Sequence, residues 1–513
     1  MKSFWNKGEK DIIKGLDILG LRGVDQHIET QLLASITTIS IRARYLSLIP
    51  WMVGEFFSIY ESKTNLDSDE IRMQLMQVFD RLDFVIILST NYEKRKDPNI
   101  IDTGIIGREV YEKVVQEFEE NGGIDRTILK DKAKKPHYTN PSFGTYYNPC
   151  RGFGLLAHSS TAPVALPPNG KKMYEIRKAY MPRDNSVLKW LLYGGLLDED
   201  MISEIAAFFS IAHISSIKEE MNLLQESFLV PFDISNTEVE ESYDKFNQTI
   251  EWILRNLDEQ KRPYELINNN YEYCITKNAD QLSAIELHWF EFELRRRVHY
   301  SLELLLKALS FSLDELNGAK VERVIETWLE DIELSNSFSN GSQYFTSTLK
   351  EYQDFLDEDE FFEPESVGAS EQALHAISII EICRLQSSDL LEHISAIEGI
   401  DYMRKTFDIL LELEEKPVYM VLIEVLKYCV IEPHLKTTLR KMGQDQQCSL
   451  RFFPEGQKLM PTGVETKAGI SGSRLNNTMR MISDIGFCEA GNGGTFMKNE
   501  MSDTVLTRLG TTV

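Results

Sequence analysis

The chain has 513 residues, 42% hydrophobic and 26% charged, the composition of a globular protein with sizeable cores and not of a disordered, collagenous or membrane chain. At roughly 100–200 residues per domain this length predicts several domains. Fifty-five Lys and Arg against 80 Asp and Glu leave a net charge of −25, which opposes unspecific binding of phosphate backbones over the surface as a whole.

From Asp11 to Thr37 apolar residues recur at helical spacing, with breaks near Gly20 and Gly23, which predicts two amphipathic helices joined by a glycine turn. The next segment, Ile39 to Met52, carries Arg42 and Arg44 on an otherwise apolar element that Pro50 should stop or kink. Guanidinium forks serve buried ion pairs as well as phosphate or carboxylate sites, so this pair is read as a structural ion pair or an anion site. Residues 68–122 again read as helical. Within them, Thr103 to Glu109 contains two glycines and Arg108. It matches neither G-x-x-x-x-G-K-[ST] nor G-x-G-x-x-G and follows no convincing strand, so a helix-capping turn is favoured over a phosphate-gripping nest.

From Lys134 to Asn169 Pro, Gly, Tyr and Asn accumulate, and loops and turns are expected. Helical periodicity then resumes and continues to about Leu435, longest from Leu282 to Leu309, as in an all-α bundle. Its main interruption is the acidic run Asp354 to Glu365, an exposed loop or a docking site for a basic partner.

The C-terminal stretch differs. His434 to Met442 reads as a short basic helix, Cys448 to Phe453 as a strand, Ser471 to Phe487 as a helix closed by glycine, and Gly491 to Gly494 as the turn of a hairpin. Helix, glycine and hairpin form the closing half of a winged helix, which docks on DNA or on protein. Ten Lys or Arg against eight Asp or Glu from Ile431 to Val513 make this stretch slightly basic on an acidic body. If it meets DNA, Arg474, Asn477 and Arg480 on the helix and Lys498 on the wing are the expected contacts, with Lys436, Arg440 and Lys441 steering phosphates.

Catalytic patterns are weak. Glu286, His288, Glu291 and Glu293 beside Arg295, Arg296 and Arg297 lack both the Glu-x-x-His order and the second matching helix of a di-iron bundle and are read as a surface ion-pair lattice. Asp80, Asp83, Glu93 and Lys94 imitate a nuclease carboxylate cluster with the wrong spacing. His158-Ser159-Ser160 is no nucleophile elbow, and no cysteine has an adjacent histidine. The cysteines at 150, 274, 383, 429, 448 and 488 show no zinc or disulfide spacing, and the first ten residues carry charge before any apolar run. Reduced thiols in a cytoplasmic protein are expected, with no secretory signal and no membrane span. Neither a metal nor a cofactor is expected.

Three segments carry a likeness: Arg42 to Trp51; Thr103 to Arg108 with Tyr146 to Gly154; and His434 to Met442 leading into Leu450 to Glu455. With these the chain resembles a family of largely helical bacterial proteins encoded in antiphage defence islands, near helicase and nuclease genes. The resemblance implies a multi-gene genomic context and not an activity; together with the weak catalytic patterns and the acidic body, the expectation is a non-catalytic subunit of a defence system, with other proteins of that system, such as a helicase or nuclease, as partners and, from the winged-helix reading, double-stranded DNA as a further contact through the C-terminal domain. The alternative is a metal-dependent nuclease effector of such a system. The likeness brings no catalytic residues with it.

The expected architecture is mainly α and multi-domain: a helical domain over 1–130, a loop-rich segment over 131–170, a helical middle over 171–430 and a winged-helix-like α+β domain over 431–513.

Overall fold

Helices form over most of the stretches where the periodicity predicted them, although Ile18 and Leu19 of the first expected helix lie in a bend before Arg22–Leu32, and in the computed structural model helices are the dominant element. The structure describes residues 17–60, 68–130, 138–159, 162–182, 184–212, 214–334, 341–356, 368–394, 401–442, 449–470 and 472–510. Ile12, Ile13 and Leu16 of the first predicted helix, most of the acidic run and Cys448 lie outside them. Three two-stranded antiparallel sheets complete the described fold: Gly123–Arg126 with Gly195–Asp198, Phe452–Glu455 with Lys458–Pro461, and Glu489–Ala490 with Phe496–Met497.

Each of two units is assembled from two separate stretches of chain. One comprises Met1–Glu29 and Tyr264–Gly472, the other Thr30–Pro263 and Ser473–Val513. This division does not follow the expected boundaries at 130, 170 and 430, and it cuts the expected 431–513 domain after Gly472. The reason is packing. Phe452 and Leu459 of one hairpin join the apolar core of the first unit, and Leu459 exchanges backbone hydrogen bonds with Ala319. In the second unit, Phe496 of the other hairpin exchanges backbone bonds with Lys261, and Asp484 accepts from the Arg42 guanidinium at 2.9 Å.

The first unit is organised on the Ala284–Glu315 helix, packed against Ala369–Ser387. Its start follows from a reciprocal capping box between Ser283 and Glu286, which satisfies two otherwise orphan donors. The helix is buried along most of its length, and Glu291, Glu293 and the three arginines are buried with it, so that part of the lattice expected on the surface is internal. Arg295 bonds Glu291 at 3.0 Å and Asp401 at 2.9 Å, while Arg296 and Arg297 share Glu293 at 3.0 and 3.1 Å. Because these arginines meet carboxylates at helical spacing, they are neutralised where they stand. His288 is half-buried and hydrogen-bonds the Ala284 carbonyl.

In the second unit the Tyr45–Tyr60 helix runs on past Pro50, so the stop expected there as one outcome does not occur. Twelve of its residues are buried, Tyr45 to Phe56, and that burial outweighs the one backbone bond proline removes. Gly54 lies against the Tyr174 ring of the Pro168–Tyr180 helix, and a Cβ there would sit 2.3 Å from Tyr174 Cδ2. Gly54→Ala should therefore lower stability by about 1–3 kcal/mol through overpacking, read as a fall in the urea midpoint; an unchanged midpoint would show that the ring swings aside freely.

A helix also occupies Pro141–Gly152, inside the segment expected to be irregular. Asn140 caps it by accepting from Phe143 N, with Pro141 in the first turn, a start signal that the surrounding Gly and Tyr residues masked. Gly107, by contrast, caps Arg108–Asn121 in a left-handed conformation (φ 80°), in keeping with the capping-turn reading.

Candidate functional site

The residues expected to meet DNA are distributed over both units. Lys436 and Arg440 are exposed on the Glu432–Met442 helix of the first; Lys441 belongs to the last turn of that helix, and its side chain lies outside the described residues. Arg474, Asn477, Arg480 and Lys498 belong to the second. There the Leu475–Asp484 helix and the hairpin form as expected, but the helix is core on more than one face. Leu475, Met479, Ile482 and Ile485 are fully buried, as their spacing predicted. Asn477 and Thr478, expected on other faces, are buried as well. Asn477 donates from Nδ2 to the Thr37 carbonyl at 2.8 Å, so it does not present its amide to a base edge. Arg480 is half-buried over the Phe496 ring, and Lys498 pairs with Asp258 at 2.5 Å.

Arg42 and Arg44 are likewise internal, and the structure supplies the ion pairs of the structural reading. Arg42 bonds Asp484 and the carbonyls of Ile101, Thr103 and Ile211. Arg44 lies 3.5 Å from Glu220 and donates to the Ala207 and Ser210 carbonyls at 2.8 and 2.6 Å. Arg177, which the sequence did not single out, completes a fully buried trio by bonding Glu220 at 2.6 Å. Arg108 is exposed and pairs with Asp102 at 2.9 Å.

The paired carboxylates of the Ser68–Lys96 helix have a different environment from a metal centre. Asp80 Oδ1 accepts from the hydroxyls of Tyr111 and Tyr138 at 2.7 and 2.5 Å and from Asn140 Nδ2 at 2.9 Å, and Lys130 Nζ lies 3.0 Å away. Asp83 accepts from the same Asn140 amide at 3.0 Å. Burial, reinforced by the neighbouring Asp80 charge, pushes the Asp83 carboxyl up to about 7. Both phenols are raised far above their usual range, mainly by burial and then by these two carboxylates. The four-residue nuclease imitation does not assemble, because Lys94 turns to Asp102 at 2.7 Å and Glu93 to Lys96 at 3.1 Å. Among the described residues no group of three or more His, Cys, Asp or Glu is placed to hold a metal ion.

What remains open is a groove of about 720 Å³ in the second unit, within the size range of small-molecule sites. The C-terminal end of the Pro141–Gly152 helix supplies Asn148 and Arg151, and the following loop supplies His158. Arg474 enters from the start of the Leu475–Asp484 helix and donates to Thr30 Oγ1 at 2.8 Å. Phe232, Glu238 and Tyr243 also line it. Gly152 allows this convergence, since a Cβ there would lie 2.3 Å from Ser35 Oγ. Phe232 lies over Gly154, whose φ of +64° and close ring contact both require glycine.

Of the expected contact residues only Arg474 lines this groove. Arg151 and His158 were not expected as a site. Their only sequence signal is the Tyr146 to Gly154 likeness and a histidine dismissed with the hydrolase pattern. Comparison with family models, with curated proteins and with solved structures finds no match to this chain.

Proposed function

We propose that the chain is a non-catalytic subunit of a bacterial antiphage defence assembly and that it engages a helicase or nuclease of that assembly through its helical surfaces. The observation that carries this reading is the state of Asp80 and Asp83. The carboxylates most like a nuclease pair are engaged by two phenols, an amide and an ammonium inside the fold. A hydrolytic centre needs carboxylates with lone pairs open to metal and water, and this pair has an internal use instead. The arginine-rich helix supports the same reading, since its guanidiniums are bound to Glu291, Glu293 and Asp401. The likeness to defence-island proteins supplies the assembly. Duplex DNA enters only through exposed cations such as Lys436 and Arg440, because the face that would read bases is packed inward. Among the described residues no helix is long and apolar enough to cross a membrane.

Two measurements test this. The full chain, tagged, should co-purify with the products of adjacent helicase or nuclease genes. Incubated alone with Mg²⁺ or Mn²⁺ and DNA or RNA, it should leave both intact. Robust cleavage abolished by Asp80→Asn or Asp83→Asn would replace this reading with the metal-dependent nuclease.

A further inference from the structure

We infer that the groove of the second unit binds a nucleoside phosphate, either as a free nucleotide or as the phosphorylated end of a single strand. The inference goes beyond the subunit reading and does not depend on it.

On a chain of net charge −25, the groove draws together Arg151, Arg474 and His158 against one carboxylate, Glu238. Arg151 is exposed at a helix end, its guanidinium 5.6 Å from the Tyr147 ring centroid, and no carboxylate among the described residues pairs with it. This contrasts with Arg42, Arg44, Arg108 and Arg295, each tied to an acid. A planar fork left available at the mouth of a cleft matches the oxygens of a phosphate.

The rest of the lining decides what carries the phosphate. Phe232 exposes 39% of its surface, a large aromatic face turned to solvent beside the cations, with Tyr243 edge-on to it at 6.3 Å. Base stacking on such a face is the sequence-tolerant half of nucleotide recognition. Glu238 separates this ligand from an acidic peptide: it would repel a second carboxylate, whereas it accepts hydrogen bonds from a ribose hydroxyl or an exocyclic amine. The groove volume of about 720 Å³ accommodates a base, sugar and phosphates together, where a bare inorganic anion would leave most of it empty.

The test uses the full chain and calorimetric titration at low salt with ATP, GTP, inorganic phosphate, and a short single-stranded oligonucleotide with and without a 5′-phosphate. Saturable binding of a nucleotide or of the phosphorylated strand is expected, and the comparison between them identifies the source. Arg151→Gln should weaken it roughly ten- to a hundredfold, the loss of one charge-assisted contact, and Arg108→Gln should leave it unchanged. Phe232→Ala should weaken nucleotide binding while leaving any phosphate binding as it was. Circular dichroism of each variant separates lost binding from lost fold. No binding of any probe, equal binding by Arg151→Gln, or phosphate binding as tight as nucleotide binding would each overturn the inference.

Discussion

Glu220→Ala is expected to destabilise the protein by about 3–5 kcal/mol, enough to remove much of the stability of a typical domain. Arg44, Arg177 and Glu220 have fully buried side chains, and the carboxylate is the counter-charge for both guanidiniums. Arg44 lies 3.5 Å from it and Arg177 2.6 Å, and the Ser47 hydroxyl donates to it as well. Burial first, then the neighbouring Arg44 charge, pulls the Arg177 guanidinium down to about 10 even with Glu220 present. Truncating the acid leaves two cations in the interior with only neutral acceptors, the carbonyls of Ala207, Phe208 and Ser210 and the hydroxyls of Ser47 and Ser216. Removing one partner of a buried pair is far more harmful than replacing the whole set, because the remaining charge keeps its desolvation penalty. Glu220→Gln should therefore fall between wild type and alanine, since its amide oxygen still accepts. The triple change Arg44→Met, Arg177→Met, Glu220→Leu should lie close to wild type. Urea unfolding followed by tryptophan fluorescence checks the order. Alanine within about 1 kcal/mol of wild type would mean that these neutral acceptors alone hold the guanidiniums, since hydrogen bonds to charged groups are themselves worth a few kcal/mol.

This trio also shows what the sequence can and cannot disclose. Arg42 and Arg44 stood out because two cations on an otherwise apolar element need partners, and the type of partner was foreseeable. Its position was not: Glu220 is more than a hundred residues away, on a Lys218–Leu229 helix whose own pattern gives no hint of a buried acid. The same holds for the helix at Leu475–Asp484. Its apolar face at 475, 479, 482 and 485 was legible from a 3.6-residue period, as was its glycine stop. A period reports only the side that is apolar, and Asn477 was placed outside because its side chain is polar; in the fold it is inside, bonded to a carbonyl from residue 37. The arginine-rich stretch was misplaced for a related reason, since alternating charge on a helix reads as a solvated face until partners from elsewhere, such as Asp401, arrive. The groove was the least legible feature. Its walls come from four separated segments, near residues 30–37, 148–158, 232–243 and 474, and no local pattern links them.

Asp83→Asn should change how stability depends on pH, by up to about 4 kcal/mol between pH 4 and pH 7.5. Asp83 is fully buried beside Asp80, and burial first, then that neighbouring charge, lifts its carboxyl from 3.8 to about 7, while hydrogen bonds to the carboxylate oppose the rise. A carboxyl raised by folding favours the folded state at pH values below its ordinary 3.8, where both states are protonated. As pH rises the unfolded chain releases its proton first, so this contribution is lost progressively until pH passes about 7. Glu303, raised to about 7 chiefly by burial despite Arg22 at 3.0 Å, acts in the same direction. His434 acts in the opposite one. Burial lowers it to about 4, so the unfolded chain takes up a proton first as pH falls below 6.5, and stability is lost on the acid side. Because these windows overlap, the overall profile of the wild type is partly flattened and cannot reveal Asp83 by itself; the difference between wild type and variant can. The amide oxygen introduced by Asp83→Asn can still accept from Asn140 Nδ2, so at pH 4 the two proteins should have similar unfolding free energies. By pH 7.5 the variant should be the more stable, having no proton to release. Urea unfolding at pH 4, 5.5 and 7.5 measures the divergence, and parallel profiles would mean that Asp83 ionises in the fold as it does in the unfolded chain.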